Sequence, residues 1–170
     1  MSTAQSELYY DILLTSLGAL VVTVTDDGLR FIKHYDTIPA ARIDTLLKLT
    51  QAKRSPERLS KFMTAIVAYL DGSSHTLDLP LDLQGGTELQ RKVWEELMNI
   101  PYGTTITYSD LASRVKNPDA VRAVASACGK NPIPLIIPCH RVVSKDGLGG
   151  FGWGLDKKQQ LLELETPEDA

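Results

Sequence analysis

The chain has 170 residues, is 43% hydrophobic and carries a formal net charge of −3, which suits one large or two small globular domains. Its two cysteines, Cys128 and Cys139, stand eleven apart with no CxxC, which excludes a disulfide framework and a zinc-type ligand spacing. No apolar run reaches the roughly 20 residues of a membrane span. The first seven residues do not read as a signal peptide, and free thiols point to a reducing interior. Charge is uneven: residues 1–90 net −3, residues 91–158 net +4 and residues 159–170 net −4. A basic middle in an acidic chain permits a nucleic-acid surface.

In chain order, Tyr9–Leu14, Ala19–Thr25 and Leu29–Tyr35 are apolar, β-branched runs separated by "TSLG" and Asp26-Asp27-Gly28, which predicts a strand meander. Ser55-Pro56-Glu57 predicts a helix start, and Leu59, Phe62, Met63, Ile66, Val67 and Leu70 keep helical spacing up to Asp71-Gly72. "HTLDLPLDLQGG" reads as an extended linker between an N-terminal α/β part, residues 1–80, and a mostly helical part, residues 81–170. Thr87 with Gln90 forms a capping-box pattern ahead of Val93, Trp94 and Leu97. Thr107 is expected to N-cap a helix over 108–115. Asn117-Pro118 is expected to cap a further helix that runs to Cys128 and stops at Gly129. Two short helices around a tight turn have the size of a helix-turn-helix. On the second, Val121, Val124 and Cys128 should face the core, while Ala120, Ala123, Ser126 and Ala127 are small and Arg122 is the long cation. The plain alternative is an alanine-rich helix with a solvated arginine.

"LIIPCHRVV" places Cys139 and His140 after a proline inside an apolar run. A buried thiol is an ordinary small hydrophobe, but a thiol beside a histidine can be activated as a nucleophile. In an extended segment neighbouring side chains point to opposite faces, so a direct Cys–His contact needs a kink, or else a water bridge. Gly147, Gly149 and Gly152 spell GxGxxG, but the βαβ context of a dinucleotide site is missing. A glycine loop that lets a ligand approach the backbone is the better reading.

"IPYGTTITYSDLA", "AVRAVASACGKNP", "IPCHRVV" and "GGFGWGLDKKQQLLELE" resemble the O6-alkylguanine-DNA alkyltransferases, with the C-terminal half of the bacterial adaptive-response protein as the nearest likeness. The match runs from about Gly86 to Glu165, and the N-terminal half matches only loosely. The cysteines of the adaptive-response protein's separate zinc domain are missing. The resemblance implies an α+β fold: a ribonuclease H-like N-terminal part with a small antiparallel sheet, then a helical, winged-helix-like part with the helix-turn-helix. It implies that Cys139 accepts the alkyl group, His140 deprotonates it through a water, Glu165 orients His140, and Asn131 holds the turn before the active-site strand. Arg122 would fill the gap left by a flipped guanine, and Tyr108 would crowd the target phosphate. Ser109, Asn117 and Ala123 would touch DNA, and Val142, Gly152, Trp153 and Tyr108 would line the pocket. The implied partner is double-stranded DNA carrying O6-alkylguanine (and O4-alkylthymine), bound through the minor groove by a monomer. No metal, cofactor or membrane is expected, and the setting would be cytoplasmic in a prokaryote or nuclear in a eukaryote.

Against the family pattern, Trp153 stands where many members have Gly, Gly152 and Phe151 replace Ser and Tyr, Leu89 replaces Phe, and Ala125 a frequent Gly. Trp153 should narrow the pocket. Two rival readings are a non-catalytic lesion-binding or helix-turn-helix module, and a Cys–His hydrolase. The lesion-binding version is disfavoured by the presence of Cys139, and the hydrolase would need an oxyanion hole and repeated turnover.

Overall fold

The computed structural model describes residues 6–42 and 51–166 and divides the chain into two compact units, Met1–Gln84 and Gly85–Ala170. In the first unit, β1 (Tyr9–Thr15), β2 (Gly18–Thr25) and β3 (Gly28–Tyr35) form the meander, and β4 (Lys53–Arg54) adds a short edge, in the order β3-β2-β1-β4. The sheet is not wholly antiparallel as expected: β4 runs parallel to β1. Two residues without an apolar pattern carry no strand signal, so sequence periodicity could not reveal it. Strand β2 is central and buried from Ala19 to Thr25. Ala19 and Val21 pack with Ala41, Tyr10, Ile12, Tyr35 and Ile38. Leu20 and Val22 alternate with them along the strand and are fully buried. Helix α1 (Pro56–Leu70) packs on β1 and β2, and the side chain of its N-cap Ser55 accepts from the Arg58 N–H.

The "linker" is fastened rather than free. Leu29 N–H donates to the Pro80 carbonyl at 2.9 Å, and Asp82 N–H donates to the Leu29 carbonyl at 2.7 Å. Arg30 is the extra residue where the β2–β3 register shifts. It reaches Asp82, which also accepts from the Thr25 hydroxyl at 2.6 Å and from Gln84 at 2.7 Å. These partners hold the Asp82 carboxyl below its usual range.

The second unit starts with α2 (Glu88–Leu97), closed at its N-terminus by the Thr87–Gln90 capping box. Strand β5 (Ile106–Thr107) leads into α3 (Tyr108–Arg114), where Thr107 and Asp110 form a second box. Helix α4 (Val121–Gly129) begins three residues later than expected. Lys116 adopts a left-handed φ of 59°, and Ala120 N–H bonds to the Asn117 carbonyl, so Asn117-Pro118 closes a turn of its own and caps nothing. Gly129 is likewise still helical, and Lys130 ends the helix. Val124 and Cys128 are buried as the spacing predicts, with Val121 half-buried. The Trp94 indole N–H donates to the Ala127 carbonyl at 2.9 Å and ties α2 to α4. Strand β6 (Val142–Val143) pairs in parallel with β5, and α5 (Leu155–Glu165) completes the unit. Among the described residues no helix is long and apolar enough to cross a membrane.

Candidate active site

The segment before Cys139 is not the extended strand its apolar run suggested. Residues 131–138 form a packed turn, and Cys139–Arg141 is a single turn of 3-10 helix. Asn131 organises the turn: its Oδ1 accepts from the Ile133 N–H at 2.9 Å, and its Nδ2 donates to the Ile137 carbonyl at 2.6 Å. Leu135 takes a left-handed φ of 78°, which costs a non-glycine residue energy and is held by burial. Three prolines, Pro132, Pro134 and Pro138, remove donors that a strand ladder would need. The 3-10 turn supplies the kink that a strand denies to adjacent side chains.

Below the thiol lies a buried charge network. His140 is fully buried, and its Nε2 lies 2.9 Å from Glu165 Oε2. Arg141 donates to both oxygens of the same carboxylate at 2.8 Å, and its third nitrogen donates to the Ile100 carbonyl at 2.6 Å. Its guanidinium lies 5.7 Å from the Tyr102 ring centre, and the Tyr102 hydroxyl donates to the Leu164 carbonyl. With Arg141 donating to both oxygens, Glu165 faces His140 as an acceptor. Nε2 therefore carries the proton, and Nδ1 carries the lone pair. Burial lowers the His140 pKa further than Glu165 raises it, so the ring is held neutral.

A second buried cation lies nearby. Lys158 is 0% exposed; its ammonium donates to the Val142 carbonyl at 2.6 Å and the Gly150 carbonyl at 2.9 Å. The Tyr108 hydroxyl grips the same loop, accepting from the Gly150 N–H at 3.2 Å and donating to the Gly150 carbonyl at 3.4 Å. Gly149 has a φ of 73°, and a Cβ there would lie 2.6 Å from the Tyr108 ring, so the loop needs glycine. Phe151 and Trp153 stack edge to face, 5.6 Å between ring centres. Cys139 is 9% exposed. Burial pushes its thiol pKa up, while the Asn131 side chain and the Lys158 charge pull the other way. Cys128, whose thiol lies 4.0 Å from the Cys139 carbonyl oxygen, is pushed up to about 12 by burial. Both thiols are therefore protonated at neutral pH.

The structure thus brings Cys139, His140, Glu165 and Val142 together as buried residues, with Asn131 and Tyr108 half-buried beside them. Trp153 and Gly152 sit on the loop into α5. Ser109, Asn117, Arg122 and Ala123 form a separate, exposed set on α3, the following turn and the start of α4. Two residues escaped the sequence reading as site members, Arg141 and Lys158. Lys158 had a visible signal: Lys158, Leu161 and Glu165 repeat at i, i+3, i+7, so two charges occupy the stripe of α5 that should be apolar.

Comparisons with known proteins cover most of the chain. Residues 8–83 match the model of the 6-O-methylguanine DNA methyltransferase ribonuclease-like domain, and residues 88–167 match that of the DNA-binding domain of the same proteins. A probable methylated-DNA–protein-cysteine methyltransferase of Acanthamoeba polyphaga mimivirus is 44% identical over 83% of this chain and 92% of its own. The regulatory protein ada of Salmonella typhimurium is 39% identical over 89% of this chain but only 44% of its own length. The crystal structure of Mycobacterium tuberculosis OGT in complex with DNA superposes with a TM-score of 0.81 at 34% identity, covering 95% of this chain and 96% of that one. The chain belongs to the 6-O-methylguanine DNA methyltransferase family. The N-terminal half, whose sequence resembles the family only loosely, belongs to it as well.

Removing the shared carboxylate tests the network. Glu165→Gln leaves the Arg141 guanidinium buried without its counter-charge and should lower unfolding free energy by about 3–5 kcal/mol, measured by urea denaturation. A loss below about 1 kcal/mol would show that the pair is not structurally required.

Proposed function

We propose that the protein repairs DNA by moving the alkyl group of O6-alkylguanine, chiefly methyl, onto its own Cys139, once per molecule. The observation that carries this reading is the buried Cys139–His140–Glu165 arrangement, in which a neutral histidine bonded through Nε2 to Glu165 shares one 3-10 turn with a protonated thiol. Through one water, Nδ1 takes the thiol proton. The sulfur then attacks the alkyl carbon, the S–C bond forms as the C–O6 bond breaks, and the electron pair stays with guanine. His140 returns its proton to water, the guanine takes one up from water at N1, and the repaired nucleotide leaves still joined to its strand; the thioether is stable, so no second turnover follows. No oxidant, cofactor or metal enters this balance.

Because Cys139 is nearly closed to solvent, a base inside a duplex cannot reach it, and extrusion of the nucleotide is required. The exposed set supports a DNA-facing role. Arg122 would fill the vacated stack, Ala123 and its small neighbours would allow close approach of α4 to the minor groove, and Ser109 and Asn117 would position the backbone. Tyr108, Val142, Gly152 and Trp153 would form the pocket, and the protein would act as a monomer. Thymine alkylated at O4 offers the same reacting group. A non-catalytic DNA-binding module would leave the buried Cys–His–Glu arrangement without a use.

Incubation with an O6-methylguanine oligonucleotide, followed by mass analysis of the Cys139 peptide, decides between these readings. A stoichiometric gain of one methyl is expected; binding without a mass change would favour the module, and continuous turnover a hydrolase. Arg122→Ala should slow repair of duplex DNA far more than reaction with the free modified base, and equal losses on both would remove the stack-filling role. Equal rates on O6-methylguanine DNA and free O6-benzylguanine would contradict a pocket narrowed by Trp153. The transfer rate should hold as pH falls through 6.5, the ordinary histidine value, and decline only below it, because the His140 pKa is lowered. An acid limb above 6.5 would contradict a buried neutral base.

A further inference from the structure

Lys158 has no part in the transfer as described, yet its placement is costly. A lysine buried to 0% exposure loses hydration that two carbonyl oxygens only partly replace. Among the described residues no carboxylate pairs with it: Glu165, two turns along the same helix, is held by Arg141 and His140. Its two acceptors belong to different backbone segments. Val142 lies three residues past Cys139, and Gly150 lies in the loop that the Tyr108 hydroxyl grips. The titratable groups around the thiol are Tyr108 from α3, Cys128 from α4, His140 and Arg141 from the 3-10 turn, and Lys158 and Glu165 from α5. Arg141 is neutralised by Glu165, so among the described residues the positive charge left without a carboxylate in this neighbourhood is that of Lys158, held on the carbonyl three residues past Cys139.

We infer that Lys158 is a positioning residue for the transfer: its ammonium fastens the two backbone walls beside Cys139 and stabilises the thiolate as the proton leaves. The inference rests on the reading of Cys139 as the acceptor. Proton transfer to His140 creates an imidazolium and a thiolate inside a dry site. Glu165 offsets the first charge, and Lys158 offsets the second. A neutral side chain of equal length could keep the packing of the stem but not this second role.

The test uses the full chain with Lys158→Met and Lys158→Arg. Four quantities are measured: the thermal midpoint, affinity for an O6-methylguanine duplex, the single-turnover transfer rate, and the pH midpoint of Cys139 carboxymethylation read on its own peptide. Lys158→Met should leave affinity near wild type, slow transfer by about tenfold or more and raise the Cys139 midpoint by about one unit. Lys158→Arg should keep the midpoint near wild type. A Lys158→Met protein with wild-type rate and midpoint overturns the inference, as does one that loses rate while the midpoint stays fixed, since that is a packing effect. Should Lys158→Met not fold, the wild-type protein gives the same information. The Lys158 Cε resonance is followed through alkaline pH before and after Cys139 is methylated. Loss of the thiolate should let the lysine deprotonate at lower pH; superimposable curves overturn the inference. Wild-type protein that gains no methyl on Cys139 refutes the functional reading itself. Normal wild-type transfer with unaltered Lys158→Met refutes only the role of the lysine.

Discussion

The bidentate pair between Arg141 and Glu165 is the interaction on which the site depends. It places a carboxylate, almost without exposure, under His140 and satisfies it from the side away from the ring. That single arrangement fixes the tautomer of the histidine, offers a counter-charge for an imidazolium, and anchors the 3-10 turn to α5. Because Arg141 also donates to the Ile100 carbonyl, the same cation ties the turn to the segment after α2. A buried pair of this kind adds little net stability over apolar packing, so its value lies in geometry: it permits one arrangement of the turn and penalises the others.

Above the pair, the environment of the thiol is set by opposed effects. Burial disfavours the thiolate, and a hydrogen bond from Asn131 and a nearby ammonium favour it. The result is a thiol that stays protonated at rest. That suits a protein with one use per molecule, for which unproductive alkylation or oxidation of the cysteine would be a permanent loss. The backbone walls are fixed independently of the sulfur, by Lys158 and Tyr108 on the Gly149-Gly150 loop, so the thiol and the pocket edge can be placed to within the tolerance a displacement requires.

Much of this was legible in the sequence where one local rule acts alone. The meander, the Ser55 and Thr87 helix starts and the core face of α4 follow from period and capping chemistry. What was not legible depended on partners distant in the chain. Asn117-Pro118 spells a helix start, but Lys116 in the left-handed region ends α3 so tightly that the pair closes a separate turn. The apolar run from Leu135 suggests an extended segment, but the prolines and Asn131 fold residues 131–138 into a turn that leads into the 3-10 turn of Cys139 and His140. The parts of Arg141 and Lys158 depend on Glu165 and on the carbonyls of Ile100, Val142 and Gly150, which only the folded chain brings to them. The roles carried by the exposed residues of α3 and α4 came from resemblance, since an exposed arginine or alanine has no local signature.

The protonation state of His140 is the most direct measure of how the site works. Nitrogen-15 resonances of the three histidines, assigned with a His140 variant, report it in the unreacted protein at pH 7. The expected result is a neutral ring with its proton on Nε2, facing Glu165, and a lone pair on Nδ1. An imidazolium at pH 7, or a neutral ring protonated on Nδ1, would contradict a histidine poised to take the proton of Cys139.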